Sequence, residues 1–293
     1  MSEMTYYGID IGLLEGGEDL VDLILGATGE SDVPSLEDDD VLVVSSKVVS
    51  LAEELLVDLD SLTVSPPARR VADVTGVDPR EAELVLREST LLGAVPVSKI
   101  GTELLESAAV SSDAAEDALE ALPSLLVTLW NGRLCTNAGI DLSNSPDRMA
   151  TLLPPDPNAS ARRIREEIRD RTGTDVAIVL ADSEVSHHGG SVDVAIGCAG
   201  IEPVDSNFGA TDLFGNPKLG GVDLIADELA AGAALLSGQA AERTPVVLVR
   251  GVDYEAGDGI ESDAELVRQG LWPSVKQSVQ VNIVERVPIP SRR

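Results

Sequence analysis

The chain has 293 residues and a formal net charge of −30, with 51 Asp and Glu against 21 Lys and Arg. A surface of that sign repels phosphate backbones and anionic lipid, which argues against nucleic acid and membranes as partners. Hydrophobic residues make up 43% of the chain but aromatics only 2%, so its core must come from Val, Leu, Ile and Ala, and the recurring apolar runs exclude disorder.

Met1 to Asp10 is polar and lacks the apolar core of a secretion signal. No stretch approaches the ~20 apolar residues of a membrane span. A cytoplasmic protein is therefore expected. The acidic excess, with Lys only at Lys47, Lys99, Lys218 and Lys276, reads as adaptation to molar salt, where the Debye length of ~3 Å screens like charges.

In chain order, Glu18 to Ile24 opens a helix, and Ser31–Asp40 is an acidic, turn-rich connection. Val41–Val44 reads as a buried strand. It runs into Ser45-Ser46-Lys47, whose hydroxyls and ammonium could bind phosphate, although no P-loop pattern is present. Pro79–Leu92 has helical spacing with Glu83, Arg87 and Glu88 outward. Gly101–Ala121 reads as an exposed helix or an insertion. Leu125–Leu129 is a second buried strand, followed by Asn131-Gly132.

The stretch from Cys135 to Asn144 packs Asn137, Gly139, Asp141, Ser143 and Asn144 into one loop ahead of Leu152-Leu153-Pro154-Pro155. Asp141 offers a carboxylate to a hard cation. Ala159–Arg171 is a helix capped by Asn158 or Ser160, ended by Gly173, with Arg162/Glu166 and Arg163/Glu167 at i,i+4. Val176–Leu180 is a third strand, and Asp182 and Ser183 follow it. Ligands of open α/β sheets gather beyond the carboxyl ends of strands. Magnesium or manganese needs one or two carboxylates plus substrate phosphates, which Asp141 and Asp182 could supply. The same residue types are ordinary turn formers and helix caps, so composition alone leaves both roles open.

His187 and His188 are adjacent, point opposite ways on an extended chain and read as surface loop residues. Val222–Leu236 is an Ala-rich, buried helix, Val246–Val249 a fourth strand, and residues 288–293 a loose tail. Cys135 and Cys198 show no zinc or disulfide spacing and read as buried thiols. Length alone allows one large domain or two small ones, and the aliphatic composition suits parallel or mixed sheets covered by helices.

The order of these motifs resembles the coenzyme F-420:L-glutamate ligase family over roughly Tyr7 to Gly251. The resemblance rests on Asn137-Ala138-Gly139-Ile140-Asp141, Leu152-Leu153-Pro154-Pro155-Asp156-Pro157, Asp182-Ser183, Asp212-Leu213-Phe214-Gly215, Ala226-Asp227-Glu228-Leu229, Gln239 and Arg250-Gly251. It implies one domain over 1–293, of α/β (mixed α+β) class, with a mixed sheet covered by helices and an insertion at 101–121. It also implies a GTP-dependent ligase that adds L-glutamate to a deazaflavin-type acceptor through an acyl phosphate, with Mg²⁺ or Mn²⁺, K⁺ as a further cation, and a homodimer. By resemblance, Asp141 and Asp182 are catalytic and metal-binding, with Ser183 and Gln239 completing the metal set. Nucleotide contacts fall on Ile11, Gly12, Leu13, Leu14, Ser46, Lys47, Asn144, and Gly238 and Gln239 within Ser237–Thr244.

The chain also departs from the family pattern. Leu51 stands where a Lys is usual, Glu184 to Gly190 replaces an Arg-rich run, and Ala240-Ala241-Glu242-Arg243 replaces a Gly-rich one. A diverged or non-catalytic paralogue that uses another acceptor is the alternative expectation.

Overall fold

The computed structural model describes residues 3–29, 32–97, 111, 121–143, 145, 148–186, 190–206, 209–217, 222–238, 242–257 and 259–260. In chain order the elements are β1 (Thr5–Ile9), α1 (Leu20–Ala27), β2 (Val41–Ser45), α2 (Ser46–Ala52), β3 (Leu56–Asp58), α3 (Pro66–Thr75) and α4 (Pro79–Glu88). There follow β4 (Thr90–Pro96), β5 (Ser124–Trp130), β6 (Arg133–Thr136), β7 (Met149–Thr151), α5 (Pro157–Thr172), β8 (Ala177–Val185) and β9 (Ser191–Ala199). The last are β10 (Asp205–Ser206), β11 (Val222–Asp223), α6 (Ile225–Ser237) and β12 (Val246–Arg250).

The central sheet has the order β1-β12-β2-β8-β9. Only β2 and β8 pair in parallel within it; the other ladders are antiparallel, so the sheet is mixed. Alternate residues of its strands serve two cores, as a period of two requires. Leu42, Val44, Ile178, Leu180 and Leu248 face Ile24 of α1 and Ile164 and Ile168 of α5. Val41, Val43, Val179, Val247 and Val249 face Ala226, Leu229, Ala230 and Ala233 of α6. Cover on both faces explains why these strands read as unbroken apolar runs.

Four expectations need correction. Leu125–Leu129 does form a strand, but it is the centre of a separate sheet, β4-β5-β6. The helix expected over Pro79–Leu92 stops at Glu88, where the Ser89 N–H and hydroxyl both reach Val85 O, and Thr90 onward pairs with β5. Glu83 does not point outward. It is buried, accepting from Ser65 N and Arg87 Nε. Three such bonds hold its carboxyl down at about 2, those from Ser65 first and Arg87 next. The helix expected at Ala159–Arg171 begins at Pro157 and is capped by the Asp156 carboxylate on Ala159 N, because Pro at the first turn needs no donor partner. Asn158 is used elsewhere, on Cys198 N and Ile260 N.

Gly173 ends α5 in the left-handed conformation as expected, and Arg163 pairs with Glu167. The helix expected at Val222–Leu236 begins at Ile225, with Val222–Asp223 forming β11 instead, and it is buried on one side only: Leu235 is 87% exposed. The first helix is capped by Asp19 and starts at Leu20. Both cysteines are free and buried. Apart from Ser111 and Ala121, the segment 101–121 lies outside the described residues, as do His187, His188 and the tail 288–293. Among the described residues no helix is long and apolar enough to cross a membrane.

Candidate functional site

The parallel pairing of β2 with β8 sets the carboxyl end of β2 against the middle of β8, with Ser45 opposite Ala181. The next residue of each chain then meets: Ser46 Oγ, at the start of α2, donates to Asp182 Oδ1 at 2.6 Å. Asp182 and Ser183 are not beyond the strand end, as the apolar run suggested, but inside β8. Past Ser45 the strand continues as a hairpin with β9, after a register shift between Leu180 and Ala181. There Ser183 and Val185 are exposed on one face while Asp182 and Glu184 stay part-buried on the other, so polar residues occupy both faces. Ser183 Oγ reaches Asp193 Oδ1 of β9 at 2.6 Å.

Asp141 arrives from the small sheet. After β6 the chain turns through Asn137, Ala138 and Gly139, all left-handed, with φ of 50, 60 and 66°. Gly139 is required twice over: by its φ, and because a Cβ there would lie 2.2 Å from Leu153 Cδ1. Asp141 then bridges Thr151 through two backbone bonds, and its Oδ1 accepts from Ser143 N at 2.7 Å.

Lys47 joins the two halves. Its ammonium lies 3.1 Å from Asp141 Oδ2 and donates to Ser143 O, Ser145 Oγ and Thr151 Oγ1 at 2.6–2.9 Å. Burial lowers its pKa, against the opposing pull of the Asp141 carboxylate.

Gly12, Leu13, Leu14, Ser46, Lys47, Asp141, Asp182, Ser183 and Gly238 all line one cavity of about 550 Å³. Ile11 does not; it is buried in the core with α1 and β12. Asn144 and Gln239 lie outside the described residues. The cavity is acidic: its described lining holds Asp141, Asp182, Asp193 and Glu242 against Lys47 and Arg243. Burial pushes the Asp182 carboxyl up to about 7, opposed by the Ser46 hydrogen bond and reinforced by Glu184, Asp141 and Asp193. The Cys135 thiol is pushed up to about 11, again by burial, which removes it as a nucleophile.

Among the described residues no three His, Cys, Asp or Glu side chains converge to hold a metal ion. The donor set nevertheless fits Mg²⁺ or Mn²⁺. Asp141, Asp182 and Ser183 are hard oxygen donors, these ions need only one or two protein carboxylates, and the described cavity lining carries four carboxylates against two cations. Sequence reasoning missed Asp193, Thr136 and Glu184. The signal for Asp193 was present, an acid within the alternating Ser191–Ala199, but nothing local ties it to Ser183.

Residues 8–251 match the family described as F420-0:Gamma-glutamyl ligase. A coenzyme F420:L-glutamate ligase of Methanothermobacter thermautotrophicus is 34% identical over 83% of this chain and 86% of its own length. One from Methanosarcina mazei is 31% identical over 92% of this chain and 94% of its own. One from Halobacterium salinarum is 34% identical over 88% and 92%.

Proposed function

The chain belongs to the F420-0:gamma-glutamyl ligase family, and from that premise we propose that it ligates L-glutamate to a coenzyme F420-0-type acceptor at the expense of GTP. The observation that supports this best is the joining, in one cavity, of Ser46, Lys47, Asp141 and Asp182 from two sheets and the helix between them.

The reaction has two steps. An acceptor carboxylate oxygen attacks the γ-phosphorus of GTP and releases GDP, leaving an acyl phosphate. The α-amine of glutamate, having lost a proton, attacks that carbonyl and expels phosphate, forming the amide. Both steps bring polyanions into a cavity whose described lining already has four carboxylates and two cations. Asp141 and Asp182 would therefore hold Mg²⁺ or Mn²⁺, which when bound neutralises phosphate charge and aligns the transfer. Ser46 orients the Asp182 carboxylate by donating to Oδ1. Lys47 fixes Asp141 and the backbone after it. Gly12 to Leu14, Ser46 and Gly238, with Asn144 and Gln239, complete the nucleotide and metal contacts of this reading. The homodimer, the cytoplasmic setting and a K⁺ requirement belong to the same proposal.

The test is a ligation assay in molar KCl with Mn²⁺, GTP, L-glutamate and F420-0, read by GDP release and by the mass of the glutamylated product. Wild type should form both, and Asp182→Asn should lose at least about a hundredfold in rate, the scale of a preorganised electrostatic group. GDP without glutamylated product would favour a second reading, a paralogue with another acceptor. That reading draws on the absence of any Lys or Arg from Ala177 to Ala199, where Asp182, Glu184 and Asp193 stand. Neither GDP nor product would overturn the ligase.

A further inference from the structure

The small sheet meets the central one through β6, and both ends of this four-residue strand are tied down. At its first residue, Arg133 Nη1 donates to Ala195 O of β9 at 2.6 Å. At its last, Thr136 donates twice to a single oxygen, Glu184 Oε2: from its backbone N at 3.1 Å and from Oγ1 at 3.2 Å. Glu184 stands two residues beyond Asp182 on β8, hence on the same face of the strand. Thr136 immediately precedes the left-handed turn that delivers Asp141.

That turn is costly. In the left-handed region the Cβ of a non-glycine residue crowds the following carbonyl oxygen, and Asn137 and Ala138 both adopt that region. Such a conformation persists only where its surroundings over-determine it. Two of its restraints come from within the small sheet, where Leu126 N donates to Asn137 Oδ1 and Ala138 N to Thr128 Oγ1. Those keep the turn's shape, but they say nothing about where it sits relative to Asp182. Glu184 reaches the turn from the strand that carries Asp182 itself.

We propose that Glu184 is a positioning residue: by holding Thr136 it sets the spacing of the Asp141 and Asp182 carboxylates, and with it the cation site between the two sheets. This rests on the ligase reading only in taking those two carboxylates as the metal pair.

The experiment is a calorimetric Mn²⁺ titration of the full chain in molar KCl, with unfolding midpoints recorded on the same samples. Glu184→Ala should weaken Mn²⁺ binding about tenfold to a hundredfold, as loss of a group supporting a metal ligand does. Glu184→Gln should recover most of the affinity, because its carbonyl oxygen can still accept both bonds. Thr136→Val, which deletes one bond and leaves Glu184 in place, should weaken binding less, and it keeps the test alive if Glu184→Ala does not fold. Combined with Glu184→Ala it should add nothing further, the mark of a shared contact.

Unchanged affinity in Glu184→Ala would overturn the proposal alone. So would equal loss in the Gln and Ala variants, because charge and not the bond would then carry the effect. A wild-type chain that binds no Mn²⁺ would overturn this and the metal part of the ligase reading together. Mn²⁺ binding that follows the expected pattern, with neither GDP nor glutamylated product in the ligation assay, would leave Glu184 in place and sink the ligase.

Discussion

Burial pushes the Asp182 carboxyl up to about 7, which links the stability of the fold to pH at this group. In the unfolded chain an Asp titrates near 3.9. Between about 4 and 7 the folded chain therefore keeps a proton that the unfolded chain has given up, so this group's contribution to stability falls as pH rises through that window and is level above it. A divalent cation takes the carboxylate form and must displace the proton below about pH 7. Mn²⁺ affinity should rise by up to tenfold per pH unit to about pH 7 and then flatten, and Asp182→Asn should remove that slope. Calorimetry across about pH 5 to 9 checks it; a wild-type affinity independent of pH would contradict the burial argument. At this scale the sequence was partly legible. An Asp at the end of an apolar run stands out, and so does Asp141 in its loop. The bond from Ser46 to Asp182 spans 136 residues and leaves no local trace, and neither does the Glu184–Thr136 contact.

Among the elements, β8 shows what an apolar run can and cannot reveal. Its first half lies between β2 and β9 with helices on both faces, and was readable as Val176–Leu180. Its second half pairs with β9 alone, and its run of three polar residues, Asp182-Ser183-Glu184, looked like a loop. The same limit hid β9, β6 and β1, which are short, edge-placed or interrupted by Gly and polar residues. β9 is an edge strand, yet its outer side is closed by neighbours: Asp227 Oδ1 takes Ala195 N, and Asn158 Oδ1 takes Cys198 N. Between them Gly197 lets the first turn of α5 approach. A Cβ at Gly197 would lie 2.6 Å from the carbonyl carbon of Pro157, and backbone cannot step aside as a side chain can. Gly197→Ala should cost roughly 2 kcal/mol or more, in the range of overpacking, or about 3 °C or more in midpoint at this chain length. Gly190→Ala, where a Cβ would meet nothing within 4 Å, should stay within about 0.5 kcal/mol. Equal effects at both positions would mean that the close approach of α5 to β9 is not what fixes Gly197.

For the whole molecule, fold class followed from composition, since an aliphatic core with long apolar runs needs a sheet covered on both faces. Strand order did not, because β1 pairs with β12 across almost the entire chain, and nothing in Thr5–Ile9 names its partner. Charge is the other property of this scale. Cations are few enough that several are shared. Arg171 serves Asp19, Asp22 and Glu167, and Arg250 serves Asp40 and Glu37. The Arg171 pairs are exposed and of a kind worth only about 0–1 kcal/mol each, so screening them loses little, while the pair of Arg250 with the buried Asp40 is screened less. The net charge of −30 repels over the whole surface, and that repulsion fades as the Debye length falls from about 10 Å at 0.1 M salt to about 3 Å at 1 M. Salt should therefore stabilise the fold. The unfolding midpoint should climb by about 5 °C or more between about 0.1 M and 2 M KCl, corresponding to about 3 kcal/mol or more at this length. Tetramethylammonium chloride at equal ionic strength separates the causes: an equal rise identifies screening, whereas a larger rise in KCl identifies K⁺ bound by the carboxylates themselves. A midpoint that is flat or falls with KCl would mean that the shared arginine pairs outweigh the repulsion, and that the acidic surface is no adaptation to salt.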